Sequence, residues 1–184
     1  DKVIPPYYTL SWQIDIDEYG IEFKREYAED DKGRKIGFKQ DYPLKDIKQW
    51  RQQIKPSQFK VARVLTLKWK EVIEDVIGDI MPVKIKNSSL RWYFMHGNKM
   101  VSLMGMENML LAMMDHPDEI HNLLEFITDD MLSFVDWLEE ERLLTLNNEN
   151  DYAGAGSYGF TDELPTDDYH KTGEVTARDL WVNM

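Results

Sequence analysis

Two amides and two carboxylates follow one short apolar run of the chain. Asn147, Asn148, Glu149 and Asp151 come directly after residues 143–146, which are Leu-Leu-Thr-Leu. Carboxylates donate or accept protons, and amides orient a bound substrate. In α/β folds the chemistry lies where buried parallel strands end, so we predict a strand at 143–146 that opens onto a polar site. Glu149 and Asp151 are candidate catalytic groups, and the two asparagines are candidate substrate ligands. Alternatively, all four side chains cap their own loop.

A histidine and a tyrosine are further candidates. His96 comes after the apolar run Leu90–Met95, which we predict to be a strand, and it precedes Gly97. At that position a histidine can act as a general acid or base, although a lone histidine is about as often a structural residue. Tyr158 lies in the predicted loop after Gly156 and is a candidate substrate-binding phenol. The alternative is a tyrosine packed beneath its own loop.

The other three histidines show no spacing typical of metal ligands. His116 fits a helix start, His121 a helix surface and His170 a loop. The chain has no cysteine, so it offers no thiolate ligand and no disulfide. We therefore predict no metal site built from this sequence.

Composition limits the classes of partner. The 184 residues carry a net charge of −12, which disfavours broad binding to nucleic acid or to an anionic membrane. No apolar run reaches the roughly 18 residues of a membrane span. We expect a cytoplasmic protein that binds a small-molecule substrate, and neither nucleic acid nor a membrane.

Residues 1–42 favour β structure. Apolar and polar residues alternate through Tyr7–Ile16, and turn-forming residues occupy Asp17–Gly20 and Asp30–Gly33. The pattern predicts an antiparallel meander at the edge of the fold.

Residues 43–184 alternate helical and strand patterns. The sequence predicts a short helix from Pro43 to before Pro56, an amphipathic helix over 59–77, a methionine-rich helix over 99–114 and a long helix beginning near Pro117. A buried stripe of the long helix is expected at Ile120, Leu123, Leu124, Ile127, Met131, Phe134, Val135 and Leu138. This order predicts a parallel sheet with helical crossovers.

The chain ends on an apolar run, Leu180–Met184, with no cap after it. We therefore expect residues 1–184 to form one incomplete domain whose C-terminal part lies outside this sequence.

Three motifs carry a resemblance to a known family. Leu103–Glu107, Asp115–Asp118 and Gly156–Pro165 occur in that order, and the segment Phe94–Pro165 resembles the uroporphyrinogen decarboxylase superfamily, which includes the methylcobamide-dependent methyltransferases. The third motif is similar to an uncharacterised bacterial branch of it. A weaker match through Asp17–Glu22 and Tyr42–Leu44 extends the resemblance over most of the chain.

The resemblance implies a partial (β/α)8 TIM barrel that works as an enzyme, with its site at the C-terminal ends of the strands. In the methyltransferases it also implies a corrinoid on a partner protein and a zinc held by histidine and cysteine, here outside this sequence.

Uroporphyrinogen carries many carboxylates and calls for clustered arginines, whereas the nearest arginines here are Arg91 and Arg142. Corrinoid-dependent methyl transfer is therefore the leading hypothesis. The alternatives are a tetrapyrrole decarboxylase, which is a lyase, and a barrel that binds without catalysis. The sequence does not predict an oligomeric state.

Overall fold

The computed structural model describes residues 6–86, 93–154, 157–160 and 163–181, with the backbone alone for 149–150, 152–154 and 157–160. Within these residues the strands are β1 (Tyr8–Leu10), β2 (Ile14–Asp17), β3 (Arg25–Glu29), β4 (Lys35–Gln40), β5 (Gln58–Val61), β6 (Val83–Ile85), β7 (Glu149–Gly154) and β8 (Ser157–Phe160). The helices are α1 (Trp50–Gln53), α2 (Arg63–Ile77), α3 (His96–Met104), α4 (Met106–Asp115), α5 (Pro117–Glu140) and α6 (Asp167–Thr172), with 3-10 turns at Ile47–Gln49 and Ala177–Asp179.

The described strands pair two by two, and the chain is a mixed α/β protein. β1 and β6 are parallel, with Tyr8 opposite Val83 and Leu10 opposite Ile85. β3–β4 and β7–β8 are antiparallel hairpins, and β2 pairs with β5. The predicted meander is therefore confirmed only for the β3–β4 hairpin. β1 and β2 pair with later strands instead.

The chain divides into two compact units. Unit 1 comprises residues 1–15, 59–94 and 131–184, and unit 2 comprises residues 16–58 and 95–130. The core of unit 1 consists of Phe134, Leu138, Leu143, Leu144 and Leu180. Phe59 and Trp137 pack against it, with ring centroids 4.8 and 5.9 Å from that of Phe134.

Unit 2 has its own buried residues. Phe126 lies 5.3 Å from Trp50 and 6.0 Å from Tyr19 between ring centroids. The buried apolar side chains are Tyr19, Leu44, Ile47, Trp50, Ile54, Met100, Leu103, Met104, Ala112, Ile120, Leu123 and Ile127. The predicted long helix is confirmed as α5. Its buried apolar residues all belong to the predicted stripe, of which Leu124 and Val135 are half-buried.

The methionine-rich segment is not one helix. Gly105 has a φ of +80° and separates α3 from α4, and a Cβ at that position would meet the Tyr42 ring at 3.0 Å. That conformation is open to glycine and strained for other residues, so the chain turns there. Met100 and Met104 are buried, whereas Met113 and Met114 are exposed. The single helix predicted over 99–114 is therefore two helices, and the methionines at the end of α4 are exposed.

The predicted strand at 143–146 is also wrong. After the last residue of α5, Glu140, the chain turns at Arg142, which has a φ of +54°. The Arg142 amide donates to the Glu139 carbonyl and the Leu143 amide donates to the Leu138 carbonyl, each at 2.9 Å. These bonds form a Schellman-type helix end, which turns the chain back towards the core. Leu143 and Leu144 are buried as expected, but as irregular chain, and the strand begins only at Glu149.

The helix predicted over 59–77 begins later, at Arg63, because Phe59 and Val61 belong to β5. Its apolar residues Leu65, Trp69, Val72 and Val76 are exposed in the structure. Among the described residues, no helix combines the length and the apolar character needed to cross a membrane.

Candidate functional site

The β1–β6 pair of unit 1 has one apolar and one polar face. Side chains alternate along a strand, and residues in register point to the same side of a sheet. Val83 therefore turns towards the core, where it is buried. Tyr7, Lys84 and Lys86 lie on the opposite face, and the Lys84 ammonium lies 4.2 Å from the centre of the Tyr7 ring. A phenol and two ammonium groups are thus gathered on one side of two short strands.

The carboxylate of Asp151, in β7, contacts two of these groups, the Lys86 ammonium and the Tyr7 phenol. Lys86 Nζ donates to Asp151 Oδ1 at 2.6 Å, and Tyr7 Oη donates to the same oxygen at 3.2 Å. Lys86 Nζ also lies 3.1 Å from Tyr7 Oη, where it can donate to the phenol oxygen. The Asp151 residue is 6% exposed. We call these three residues, Tyr7, Lys86 and Asp151, the Asp151 cluster.

The charge of Lys86 is maintained by its partners. Burial lowers the pKa of Lys86, but the hydrogen bond to Asp151, the bond to Tyr7 and the charge on Asp151 together raise it above its ordinary value. Lys86 is therefore an ammonium ion at neutral pH and acts as a fixed positive charge beside the carboxylate.

The Asp151 cluster brings together a carboxylate, an ammonium and a hydroxyl in a largely buried setting. A carboxylate held in this way can accept a proton from a bound substrate, while the ammonium stabilises negative charge that develops nearby. The hydroxyl can both donate and accept a hydrogen bond.

The two asparagines have structural partners. Asn147 is 1% exposed, and its amide donates to the Trp181 carbonyl at 2.7 Å and accepts from the Trp181 amide at 2.9 Å. This pair of bonds resembles one rung of a β-ladder and ties residues 147 and 181 together. Asn148 donates to the Leu164 carbonyl at 2.6 Å. The Asn147 side chain therefore joins two distant segments of the chain and does not cap its own loop.

Two candidates are placed only through their backbone. Glu149 opens β7 opposite Phe160, and Tyr158 lies in β8 opposite Tyr152. Tyr158 is thus in a strand and not in the predicted loop. The side chains of Glu149 and Tyr158 lie outside the described part of the structure.

His96 does not end a strand. It is the first residue of α3 in unit 2, it is exposed, and its Nε2 lies 3.1 Å from Thr128 Oγ1. Residues 87–92, which include the first half of the strand predicted at Leu90–Met95, lie outside the described residues, and Tyr93–Met95 form no strand. His96 therefore belongs to a different unit from Asp151, and its contact there is with a threonine on α5.

Sequence reasoning identified Asp151 but missed Lys86 and Tyr7. Lys86 immediately follows β6, and the spacing of Lys84 and Lys86 was a usable signal, because alternate residues of a strand place two cations on one face. Tyr7 gave no signal of its own, since its contact with Asp151 spans 144 residues.

No group of three or more potential ligands is placed to hold a metal ion within the described ranges. Comparisons with protein-family models, with curated proteins and with solved structures each found no match.

Proposed function

We propose that the chain is part of an enzyme of the uroporphyrinogen decarboxylase superfamily, built on a (β/α)8 barrel, and that it exchanges a methyl group between a corrinoid protein and a small molecule. The observation that carries this proposal is the position of Lys86, which directly follows a parallel strand and holds the buried Asp151 carboxylate at 2.6 Å. Barrel enzymes hold their reactive groups where parallel strands end.

The roles of the residues follow from their contacts. Methylation of a thiol or another protonated heteroatom releases a proton, and Asp151 accepts it. Lys86 remains charged and stabilises the heteroatom as its proton leaves. Tyr7 holds the carboxylate in place through its hydroxyl. A corrinoid carried by a partner protein would supply the methyl group to this heteroatom.

No residue of this chain is assigned here as a zinc ligand. The chain contains no cysteine, and its described residues offer no ligand group that would hold the ion. The roles above belong to the residues of this chain alone.

The test uses the full chain with methylcobalamin and homocysteine, and follows the visible absorption of the corrinoid. We expect methyl loss faster than without protein, and a rate about 100-fold lower in Asp151→Asn, the typical contribution of one acid–base group. Asp168→Asn is the matched control, because its side chain is 85% exposed and lies outside the Asp151 cluster. Equal rates with and without protein would contradict the proposal.

Decarboxylation of a tetrapyrrole is the second candidate. Lys84 and Lys86 lie on one strand face and can attract the carboxylates of a tetrapyrrole in place of clustered arginines. This favours decarboxylation as the second candidate. Consumption of uroporphyrinogen, without methyl loss from methylcobalamin, would decide for this reaction. A barrel that binds without catalysis predicts neither reaction.

A further inference from the structure

Unit 2 contains a groove of about 900 Å³. It is lined by the open end of the β3–β4 hairpin, by the segment Asp41–Lys45 and by Val101 and Ser102 of α3. This volume falls within the range of small-ligand sites. All of these residues belong to unit 2, so the groove is independent of the Asp151 cluster.

The lining is rich in cations. Four lysine or arginine residues meet two carboxylates, in a chain whose net charge is −12; the cations are Lys24, Arg25, Lys39 and Lys45. A locally positive surface on a negatively charged chain attracts anions to that surface.

One carboxylate of the lining is paired with a lysine. Asp41 accepts from Lys45 Nζ at 2.5 Å, and the hydrogen bond and charge of Lys45 lower the pKa of Asp41. The strand register places Lys39 opposite Glu26, and the Asp41 amide donates to the Lys24 carbonyl at 3.0 Å, so Lys24, Lys39 and both carboxylates lie at the same end of the hairpin. Four cations against the two carboxylates Glu26 and Asp41 leave this groove with an excess of positive charge.

Arg25 is held in place without a counter-ion. Its Nε donates to Gln40 Oε1 at 3.2 Å, and its guanidinium lies 4.9 Å from the centre of the Phe38 ring. Gln40 in turn donates to the Ser102 carbonyl at 2.9 Å, which ties β4 to α3. Within the described residues, Lys24, Arg25 and Lys39 form no ion pair.

We propose that this groove binds a small organic phosphate of about nucleotide size. Lys24, Lys39 and Lys45 receive the phosphate as point charges, and Arg25, which lies beside Phe38 on the other face of the hairpin, contacts the organic part. The exposed Phe38 ring and Val101 provide apolar wall for the organic part. The site goes beyond the proposed methyl transfer and shares no residue with it.

The test is a titration of the isotope-labelled full chain, followed by NMR of the backbone amides, with adenosine diphosphate, inorganic pyrophosphate and citrate as separate probes. We expect saturable shifts at Lys24, Gln40 and Ser102 with the two phosphates. The diphosphate nucleotide should bind about tenfold more tightly than pyrophosphate because of its organic part. Citrate should bind more weakly than either phosphate, since we propose that the site prefers phosphate over carboxylate anions.

Charge-reversal variants of the groove lysines provide a second test. Lys24→Glu/Lys39→Glu should weaken nucleotide binding about tenfold or more. Lys32→Glu/Lys35→Glu makes the same change in net charge on the same hairpin but outside the groove lining, and should leave binding within about twofold. No saturable shift in the wild-type chain, preferential binding of citrate, or an equal loss in both double variants would overturn the proposal.

Discussion

Asp151 and Asp179 are both buried carboxylates of unit 1, but their partners differ in kind. Asp179 is 1% exposed and is bound by two threonines close to it in sequence: Oδ1 accepts from the Thr166 amide and hydroxyl at 2.9 and 2.6 Å, and Oδ2 accepts from the Thr176 amide and hydroxyl at 2.8 Å each. Asp151 is instead bound by an ammonium and a phenol from distant segments.

On the proposed function, Asp179 is a structural carboxylate and Asp151 takes part in the chemistry. Backbone amides and hydroxyls fix the local chain around Asp179 and form a capping box at the Ala177–Asp179 turn. These groups carry no net charge near neutral pH. An ammonium and a phenol carry charge or a titratable proton, so the setting of Asp151 suits reactions that move charge.

The largest expected effect is on stability at the Asp151 cluster. Asp151→Ala leaves the Lys86 ammonium, whose side chain is 13% exposed, without its counter-ion. The free energy of unfolding should fall by about 3–5 kcal/mol, as measured by urea denaturation. Asp151→Leu/Lys86→Met removes both charges and should recover most of this loss. A single variant as stable as the wild type would show that the pair does not form.

A smaller loss is expected at Asp179. Asp179→Ala removes four hydrogen bonds and leaves the Thr166 and Thr176 amides unsatisfied, which should lower the free energy of unfolding by about 2–3 kcal/mol. Asp168→Ala, an exposed control on α6, should change it by less than about 0.5 kcal/mol. Equal losses of unfolding free energy in the two variants would contradict the structural role assigned to Asp179.

The two carboxylate sites should also respond to opposite extremes of pH. Burial raises the pKa of Asp179, but its hydrogen bonds to Thr166 and Thr176 lower the pKa by more than burial raises it. The folded pKa is therefore below the unfolded value of about 3.9. Its contribution to stability is present above about pH 4 and is lost as the pH falls through the folded pKa.

Lys86 behaves in the opposite sense. Its folded pKa is raised, so its contribution is present below the unfolded pKa of about 10.4 and is lost as the pH rises through the folded value. Thermal melts from pH 3 to pH 11 should show a weaker acid dependence in Asp179→Asn and a weaker alkaline dependence in Lys86→Met. The reverse assignment would contradict the cited shifts.

The smallest effect is expected at a position outside both sites. Arg142 has a φ of +54° at the end of α5, and its ion pair with Glu174 is highly exposed and contributes little. Arg142→Gly relieves the strain but gives the unfolded chain more freedom, so we expect a net gain of about 0.5 kcal/mol. Arg142→Ala keeps the strain and should give no gain. A melting temperature lowered by glycine would contradict this account.

Local patterns predicted the fold best. The α5 stripe and the β3–β4 hairpin depend on residues close in sequence, and both are confirmed. The Leu143–Leu146 strand failed because burial does not require strand pairing. The break at Gly105 was missed because it depends on one positive φ within an otherwise helical pattern.

The candidate site depends on distant contacts. Asp151 stood out by its position in the sequence, but Lys86 is 65 residues away and Tyr7 is 144 residues away. Nothing in either local sequence specifies those contacts. The same limit applies to Asn147, because its hydrogen-bond partner Trp181 is 34 residues away.

The most direct test compares methyl exchange in Asp151→Asn and Asp179→Asn, at a temperature where circular dichroism shows both variants fully folded. The Asp151 variant should lose about 100-fold or more of the rate, as expected for an acid–base group. The Asp179 variant should keep nearly the wild-type rate, because its carboxylate holds only the local chain. Equal rates in the two variants, or a larger loss in Asp179→Asn, would contradict the assignment of Asp151 as the chemical carboxylate.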